Sequence, residues 1–298
     1  MMTSRRLGDG MFDVSLIASG LKLRSNGIWY GSGIDEELSY PKGSSDSCFL
    51  IEDESFWFKH RGECIISAIK QFPPRDNGAI FDIGGGNGYV SLGLTDAGFE
   101  SVLVEPSQEG AMNAKSRGLK NIVCATTDSA KFRVESLPAV GLLDVVEHIE
   151  DDVLFLKSIH DLIDKNGFLY MTVPAYSYLW SNDDVTAGHY RRYGLNEMAQ
   201  RLKSAGFSIE YSSYIFRFLP IPIFLFRAIP YYLGINSVKN VEKRKKNAND
   251  HLTNDSILLK IINVLLKSEL KNICKKISMR FGGSCLIVAK KIQFSQLE

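Results

Sequence analysis

The stretch Ile80-Phe81-Asp82-Ile83-Gly84-Gly85-Gly86-Asn87-Gly88 decides the fold of this chain. An apolar run over residues 79–83, predicted to be a buried strand, leads directly into Gly84, Gly86 and Gly88, which are spaced G-x-G-x-G. Glycines in such a turn let the backbone approach a ligand closely, because a Cβ would collide there. Dinucleotide sites use G-x-G-x-x-G instead, and the Asp82 carboxylate would repel a pyrophosphate. The turn therefore predicts a nucleotide-like ligand with a cationic group near Asp82.

Around this turn, short apolar runs alternate with amphipathic stretches. The predicted strands cover residues 79–83, 101–104, 121–125, 139–143, 168–173, 208–213 and 284–290. The predicted helices cover residues 54–71, 89–97, 109–117, 151–164 and 195–205. Strand, helix, strand repeated at this spacing is typical of right-handed crossovers and of an α/β fold with a mostly parallel sheet.

The pattern divides the chain into four segments. We predict an irregular N-terminal extension with a short hairpin over residues 1–53, and a nucleotide-binding core over 54–214. An apolar and basic helical insertion is expected over 215–283, before a final strand and tail over 284–298. The insertion contains the apolar stretch 215–235, the charged run 242–246 and a basic amphipathic helix over 255–277. Proline and arginine interrupt the apolar stretch, so we do not expect it to span a membrane.

Acidic residues follow the second and third predicted strands. Glu105 ends the second strand, where a carboxylate can accept hydrogen bonds from both hydroxyls of a ribose. Asp128 follows the third strand, where it could meet an adenine amino group or could simply cap a helix.

In this order, the glycine turn, the two acids and the block Leu143-Asp144-Val145-Val146-Glu147-His148-Ile149 resemble class I S-adenosylmethionine (SAM) dependent methyltransferases. The resemblance implies a Rossmann-like seven-stranded sheet with six parallel strands, an antiparallel last strand and helices on both faces. It implies SAM as cofactor, bound by Asp82, Gly84, Gly86, Gly88, Glu105, Asp128 and Asp144. A SAM-binding protein without activity and an NAD-dependent oxidoreductase are the alternatives.

Two further segments resemble a bacterial group of these enzymes. One is Phe56-Trp57-Phe58 followed by Arg61, and the other is Gly188-His189-Tyr190-Arg191-Arg192-Tyr193. The aromatic residues could cover the site or pack in the core. Arg61 could pair with the SAM carboxylate or be a solvated helix residue. Arg191 and Arg192 could bind an anionic acceptor or brace their loop against acids.

Methyl transfer to oxygen needs a proton acceptor near neutral pH, a role that suits histidine. His189 is the candidate base, with Asp183 or Asp184 as its partner, and we select Asp184 together with His189 as the catalytic residues. A structural hydrogen bond inside the loop is the alternative role for His189. The spacing of Asp144, Glu147 and His148 also resembles metal ligands in ubiquinone-pathway and small-RNA O-methyltransferases, with His189 as a further ligand. Because the same block is common where no metal is implied, we predict no metal.

Composition limits the partners. A net charge of +1 gives no electrostatic reason to expect nucleic acid. The five scattered cysteines lack a C-x-x-C pair and suit a reducing cytoplasm, and the N-terminus does not resemble a secretory signal. We expect a cytoplasmic enzyme acting on a small molecule or a glycan or lipid-linked acceptor. The insertion could contact a membrane surface, the enzyme's own core or a second subunit in a homodimer.

Overall fold

The computed structural model describes residues 11–32, 49, 51–235 and 257–292. Three parts of the sequence discussed above lie outside the described residues. They are most of residues 33–50, including Cys48, the charged run 242–246, and the first two residues of the predicted helix 255–277.

The described chain forms one mixed sheet of nine strands in the order β1-β2-β5-β4-β3-β6-β7-β9-β8. The strands are β1 (Lys22–Leu23), β2 (Trp29–Tyr30), β3 (Ile80–Ile83), β4 (Ser101–Val104), β5 (Ile122–Cys124), β6 (Leu137–Leu143), β7 (Ile163–Pro174), β8 (Phe207–Ile215) and β9 (Ser284–Lys291). Strands β3 to β7 pair in parallel, and β9 lies antiparallel between β7 and β8. The expected seven strands are all present, but the prediction of a seven-stranded sheet is wrong by two.

The two extra strands come from the N-terminal segment. β1 and β2 form a short antiparallel hairpin, and β2 then pairs in parallel with β5 at the edge of the sheet. Trp29 and Tyr30 are buried, and Val14 and Ile17 join the core on one face of the sheet. The segment thus contains a short hairpin, as the sequence suggested, but residues 11–30 are also part of the sheet and its core, which the prediction of an irregular extension did not include.

The helices cover both faces of the sheet. They are α1 (Phe56–Gln71), α2 (Tyr89–Asp96), α3 (Gln108–Ser116), α4 (Thr127–Ala130), α5 (Asp152–Leu162), α6 (Asn182–Ala187), α7 (Leu195–Ser204), α8 (Pro220–Ile223), α9 (Ile229–Tyr232) and α10 (Ile257–Cys274). A π-helical turn, Phe224–Ala228, joins α8 to α9. Every residue of β3 and β4 is buried, as expected for central parallel strands with helices on both sides.

The insertion is fastened to α1 through a buried polar contact. Glu269 on α10 is fully buried, and its carboxylate accepts hydrogen bonds from the backbone N–H groups of Phe216 (2.8 Å) and Arg217 (2.6 Å). His60 Nε2 on α1 lies 3.0 Å from the same carboxylate. Loss of Glu269 would leave two backbone N–H groups and the His60 ring without their shared partner, so this contact holds α10 against the core. Among the described helices, none is both long and apolar enough to cross a membrane.

We expect Gly88→Ala to destabilise the protein more than Gly98→Ala. Both glycines have a left-handed φ, +72° and +89°, so alanine adds roughly 1–2 kcal/mol of backbone strain at either position. An added Cβ at Gly98 meets no atom within 4 Å, whereas at Gly88 it lies 2.9 Å from the Ala114 Cβ and presses on Leu119. The measurement is Tm by circular dichroism. Equal shifts in the two variants would contradict this account of the turn.

Candidate active site

The glycine turn lies between β3 and α2 and leaves an open space above its middle. Gly84, Gly86 and Gly88 all have positive φ, at 71°, 55° and 72°. A Cβ added at Gly86 would meet no atom within 4 Å, but one at Gly84 would lie 2.9 Å from Val145. The middle of the turn is thus both conformationally restricted to glycine and open to a ligand.

Asp82 lies buried beneath this turn, at the end of β3. Its Oδ2 accepts a hydrogen bond from Ser91 Oγ at 2.7 Å, while Oδ1 has no hydrogen-bond partner within the described part of the chain. Burial raises the pKa of the Asp82 carboxyl, and the Ser91 hydrogen bond and the Arg61 charge offset this only in part. A buried carboxyl oxygen without a partner is costly, so a ligand donor at this position would stabilise the site.

Glu105, at the end of β4, holds the turn from the other side. Its two carboxyl oxygens accept hydrogen bonds from the backbone N–H groups of Gly86 (2.9 Å) and Ser107 (2.8 Å). Each carboxyl oxygen has a second lone pair, so both can also accept a ribose hydroxyl. Burial raises the pKa of Glu105 to about 7, although the two backbone hydrogen bonds oppose the shift.

Asp128 lies on the exposed first turn of α4, whose N-cap is Thr126. It lines a small cavity with Lys131, Phe132 and two residues of α5. Thr126, and not Asp128, therefore caps this helix, and the contact of Asp128 with adenine stays a prediction.

Arg61 and Asp144 face each other across the strand ends. Arg61 Nε on α1 lies 2.7 Å from Asp144 Oδ2, and Arg61 Nη2 donates to Thr172 Oγ1 at 3.2 Å. Thr172 Oγ1 in turn donates to Asp144 Oδ1 at 2.9 Å. Arg61 is buried and paired with Asp144, so it is not a solvated surface residue.

The predicted acceptor side is built around the Asp184 carboxylate. Asp184 is buried at the start of α6, and its Oδ1 lies 2.9 Å from His189 Nδ1. Arg192 binds both carboxylate oxygens, with Nε 2.7 Å from Oδ1 and Nη2 3.0 Å from Oδ2. Burial acts to raise the pKa of Asp184, but the hydrogen bonds from His189 and Arg192 outweigh it, and the pKa is lowered.

The ionised Asp184 carboxylate can only accept hydrogen bonds, so His189 Nδ1 must carry a proton. His189 Nε2 is then free to accept one, which is the arrangement that a general base requires. Of the two aspartates considered from sequence, Asp184 is the one that contacts His189, because Asp183 instead pairs with Arg227 at 2.8 Å. Arg191 contacts Asp152 at 2.8 Å, as Arg192 contacts Asp184. Both arginines therefore pair with acids of the protein, which was one of the two alternatives considered from the sequence.

Two residues of the 143–149 block lie beside this pair. The rings of His148 and His189 meet edge to face, with centroids 4.7 Å apart. Burial, and to a lesser extent repulsion from the His189 ring when both rings are protonated, lowers the pKa of His148 to about 4. Glu147 is buried, and burial together with the Asp144 charge raises its pKa well above the usual range. One ligand atom from each of Glu147, His148 and His189 lies within 4.8 Å of the others, which is close enough for a shared divalent ion.

The aromatic residues ahead of the turn are divided between core and surface. Trp57 stacks on Phe216 with centroids 5.8 Å apart, and Phe58 meets Trp57 and Tyr89 edge to face. Phe56 is half exposed and contacts Phe218. These residues join α1 to the end of β8 and to the start of α2.

Comparisons with known proteins also point to a methyltransferase domain. A family model for a methyltransferase domain matches residues 57–212, about half of the chain. The chain belongs to this methyltransferase-domain family. A comparison with curated protein sequences found no match.

The methyltransferase fold is also shared with solved structures of low sequence identity. A SAM-dependent methyltransferase of Thermotoga maritima is 16% identical with a TM-score of 0.53, over 84% of this chain and 95% of that one. A chain in the complex of the Haloferax volcanii Trm112 methyltransferase activator with a methyltransferase is 16% identical with a TM-score of 0.52, over 83% and 96%. At this identity the likeness shows the fold alone.

Several residues of this methyltransferase site were missed by sequence reasoning. Thr172 and Ser91 lie in a predicted strand and a predicted helix and are not among the predicted site residues, yet each donates to a predicted site carboxylate. Glu52 precedes α1, and its carboxylate contacts Asn87 of the glycine turn (3.1 Å) and Arg117 (2.6 Å). No local pattern distinguishes these hydroxyl and acidic residues. The one usable signal is Asn87, because a polar residue inside the glycine turn indicates a polar partner, which here is Glu52.

We expect the stability of the methyltransferase to fall as pH rises from about 4.5 to 7, through Glu105. The pKa of Glu105 is about 7 in the folded state against 4.5 for the ordinary group, so the folded state holds the proton longer and stability is lost as it dissociates. The shift corresponds to about 3 kcal/mol. Urea unfolding of the wild type and Glu105→Gln at pH 5, 6, 7 and 8 measures this contribution. Parallel pH profiles of the two proteins would contradict the assignment.

Proposed function

We propose that this methyltransferase transfers the methyl group of SAM to an oxygen atom of a small molecule or of a glycan or glycolipid precursor. The observation that carries the proposal is the 2.9 Å contact between His189 and Asp184. Oxygen acceptors need a base near neutral pH, and a histidine held in one tautomer by a buried carboxylate supplies it. The aromatic and GHYRRY segments support placing the chain in the bacterial group that it resembles. A cytoplasmic location and a homodimer stay predictions.

The residues present fit SAM. The unpartnered Asp82 Oδ1 suits a cationic amino group, the open space above Gly86 admits a ligand against the backbone, and Glu105 has lone pairs for ribose hydroxyls. SAM, when bound, would supply an activated methyl group on a sulfonium, whose sulfur would keep the electron pair of the broken methyl C–S bond and leave as the thioether S-adenosylhomocysteine. Arg61 is a further candidate for the carboxylate of SAM, and Asp144 orients it through their 2.7 Å contact.

On the acceptor side, His189 Nε2 takes the hydroxyl proton as the new bond to oxygen forms. The imidazolium that results is stabilised by the Asp184 carboxylate, which Arg192 and the Ser181 backbone N–H hold in place. The proton then returns to solvent, since the His189 side chain is 17% exposed. No other charge change is required of the protein.

We expect His189→Asn and Asp184→Asn to lower kcat by about 10²- to 10⁴-fold, the range for loss of a general base or its orienting partner. SAM affinity should change little, because neither side chain is assigned to the cofactor. The assay follows transfer of label from methyl-labelled SAM into a metabolite extract, with SAM binding measured by calorimetry.

Asp183→Asn is the matched control, because Asp183 is the neighbouring aspartate on α6 and pairs with Arg227. It should keep nearly full turnover. Unchanged turnover in His189→Asn would remove His189 from the mechanism. Binding of NAD in preference to SAM in a thermal-shift comparison would defeat the methyl-transfer proposal as a whole.

We also expect methyl transfer to survive EDTA, with kcat unchanged within about twofold. The raised pKa of Glu147 favours its neutral acid, which is a poor metal ligand. The test is dialysis against EDTA followed by assay with and without added Mg²⁺, Mn²⁺ or Zn²⁺. Loss of activity that a divalent ion restores would instead assign Glu147, His148 and His189 as ligands.

A further inference from the structure

Charge is distributed very unevenly along this chain. Residues 215–283 contain 13 Lys and Arg but only 4 Asp and Glu, whereas the whole chain has 35 and 34. One of the four acids, Glu269, is buried and already engaged by His60 and two backbone N–H groups. The insertion is therefore strongly basic, and the remainder of the chain carries a compensating negative charge.

The same insertion exposes large apolar side chains. We call them the apolar face: Ile221, Phe224, Leu225, Phe226, Tyr232, Leu233 and Ile235. The exposed fraction is 62% for Ile221, 63% for Phe226 and 68% for Leu233. A run of exposed apolar residues of this kind is unusual on a protein surface that faces only water.

Exposed arginines lie close in sequence to the apolar face and to Phe281, another exposed aromatic residue of the insertion. Arg217 is exposed just before α8. Exposed Arg280 precedes Phe281, which is 39% exposed and lies 5.9 Å from the Tyr176 ring. Tyr176 stacks on Tyr178, and Tyr178 meets Phe224 of the apolar face at 6.1 Å. The two halves of the insertion are thus joined through a chain of aromatic rings.

The apolar face also lies beside the acceptor side of the site. Tyr232 Oη donates to the Ser177 carbonyl at 3.4 Å, and Arg227 Nη1 lies 2.8 Å from Asp183 Oδ2. Asp183 precedes Asp184, the residue that holds His189. A membrane or protein surface bound to the apolar face would therefore lie next to the loop that carries His189, the candidate base.

We propose that the apolar face docks on the surface of an anionic membrane and presents the active site to a lipid-linked acceptor. Exposed aromatic and aliphatic side chains enter the headgroup boundary, and the basic residues of the insertion attract anionic lipid. Docking stands on the surface alone, whereas the lipid-linked acceptor rests on the proposed methyl transfer. A second copy of the chain could also cover the apolar face, but it would bring an equally basic insertion against this one.

The test is flotation of the full chain with vesicles of phosphatidylcholine alone and of phosphatidylcholine with phosphatidylglycerol. We expect binding to the anionic vesicles only, weakened when NaCl is raised from about 0.1 M to about 0.5 M. The variant Phe226→Ser with Leu233→Ser should bind at least about tenfold more weakly. Val134→Ser with Leu154→Ser is the matched control, because these residues are 70% and 64% exposed but lie outside the insertion.

Several outcomes would overturn the proposal. Wild type that stays with neither vesicle, or equal loss in the two double variants, defeats docking. A dimer that Phe226→Ser with Leu233→Ser converts to monomer, seen by light scattering, assigns the apolar face to a second copy. Methyl label found only in the aqueous phase of an extract defeats the lipid-linked acceptor but leaves methyl transfer intact. Label in neither phase, with flotation retained, defeats the proposed function and leaves docking intact.

Discussion

Carboxyl groups withdrawn from water along one edge of the sheet are the constraint around which this protein is built. Asp82, Glu105, Glu147 and Asp184 are all buried there. A buried carboxylate is stable only when it is hydrogen-bonded or paired, so the loops that follow the strands must supply partners. Glu105 and Asp184 are well supplied, by backbone N–H groups and by Arg192 with His189. Glu105 holds the glycine turn in place, and Asp184 holds the loop that carries His189 and Arg192.

Asp82 and Glu147 are less completely satisfied. Each has one carboxyl oxygen without a hydrogen-bond partner among the described residues. Burial raises the pKa of both groups, which reduces the cost of leaving an oxygen unpaired. These two acids retain the capacity to bind a donor, one beside the glycine turn and the other beside His148 and His189. This edge of the sheet therefore combines two carboxyl groups that stabilise the fold, Glu105 and Asp184, with two that can still accept or donate a hydrogen bond, Asp82 and Glu147.

Backbone strain occurs at the same edge. Asp144, Tyr176 and Phe216 follow β6, β7 and β8, and each has a positive φ near 60° although none is glycine. Such a conformation is uncommon for these residue types and persists only where the surroundings favour it. Asp144 is held by Arg61, Tyr176 by its stack on Tyr214, and Phe216 by its stack on Trp57. The strained turns direct these side chains to both sides of the site.

Sequence patterns predicted the central fold, because hydrophobic periodicity and the glycine turn are local properties. They also pointed to the candidate site residues, whose roles stay predictions. Central strands such as β3 and helices such as α7 lie within a few residues of their predicted bounds. The sequence predicted a short N-terminal hairpin but not its place in the sheet, since two-residue strands have no period and β2 joins the sheet only by pairing with β5. Only the tertiary structure showed that Asp184, and not Asp183, contacts His189. It also paired Arg61 with Asp144 and brought the basic insertion to the loop that carries His189. Those choices depend on contacts between residues far apart in the chain, or on which of two adjacent side chains points inward, and no local pattern encodes them.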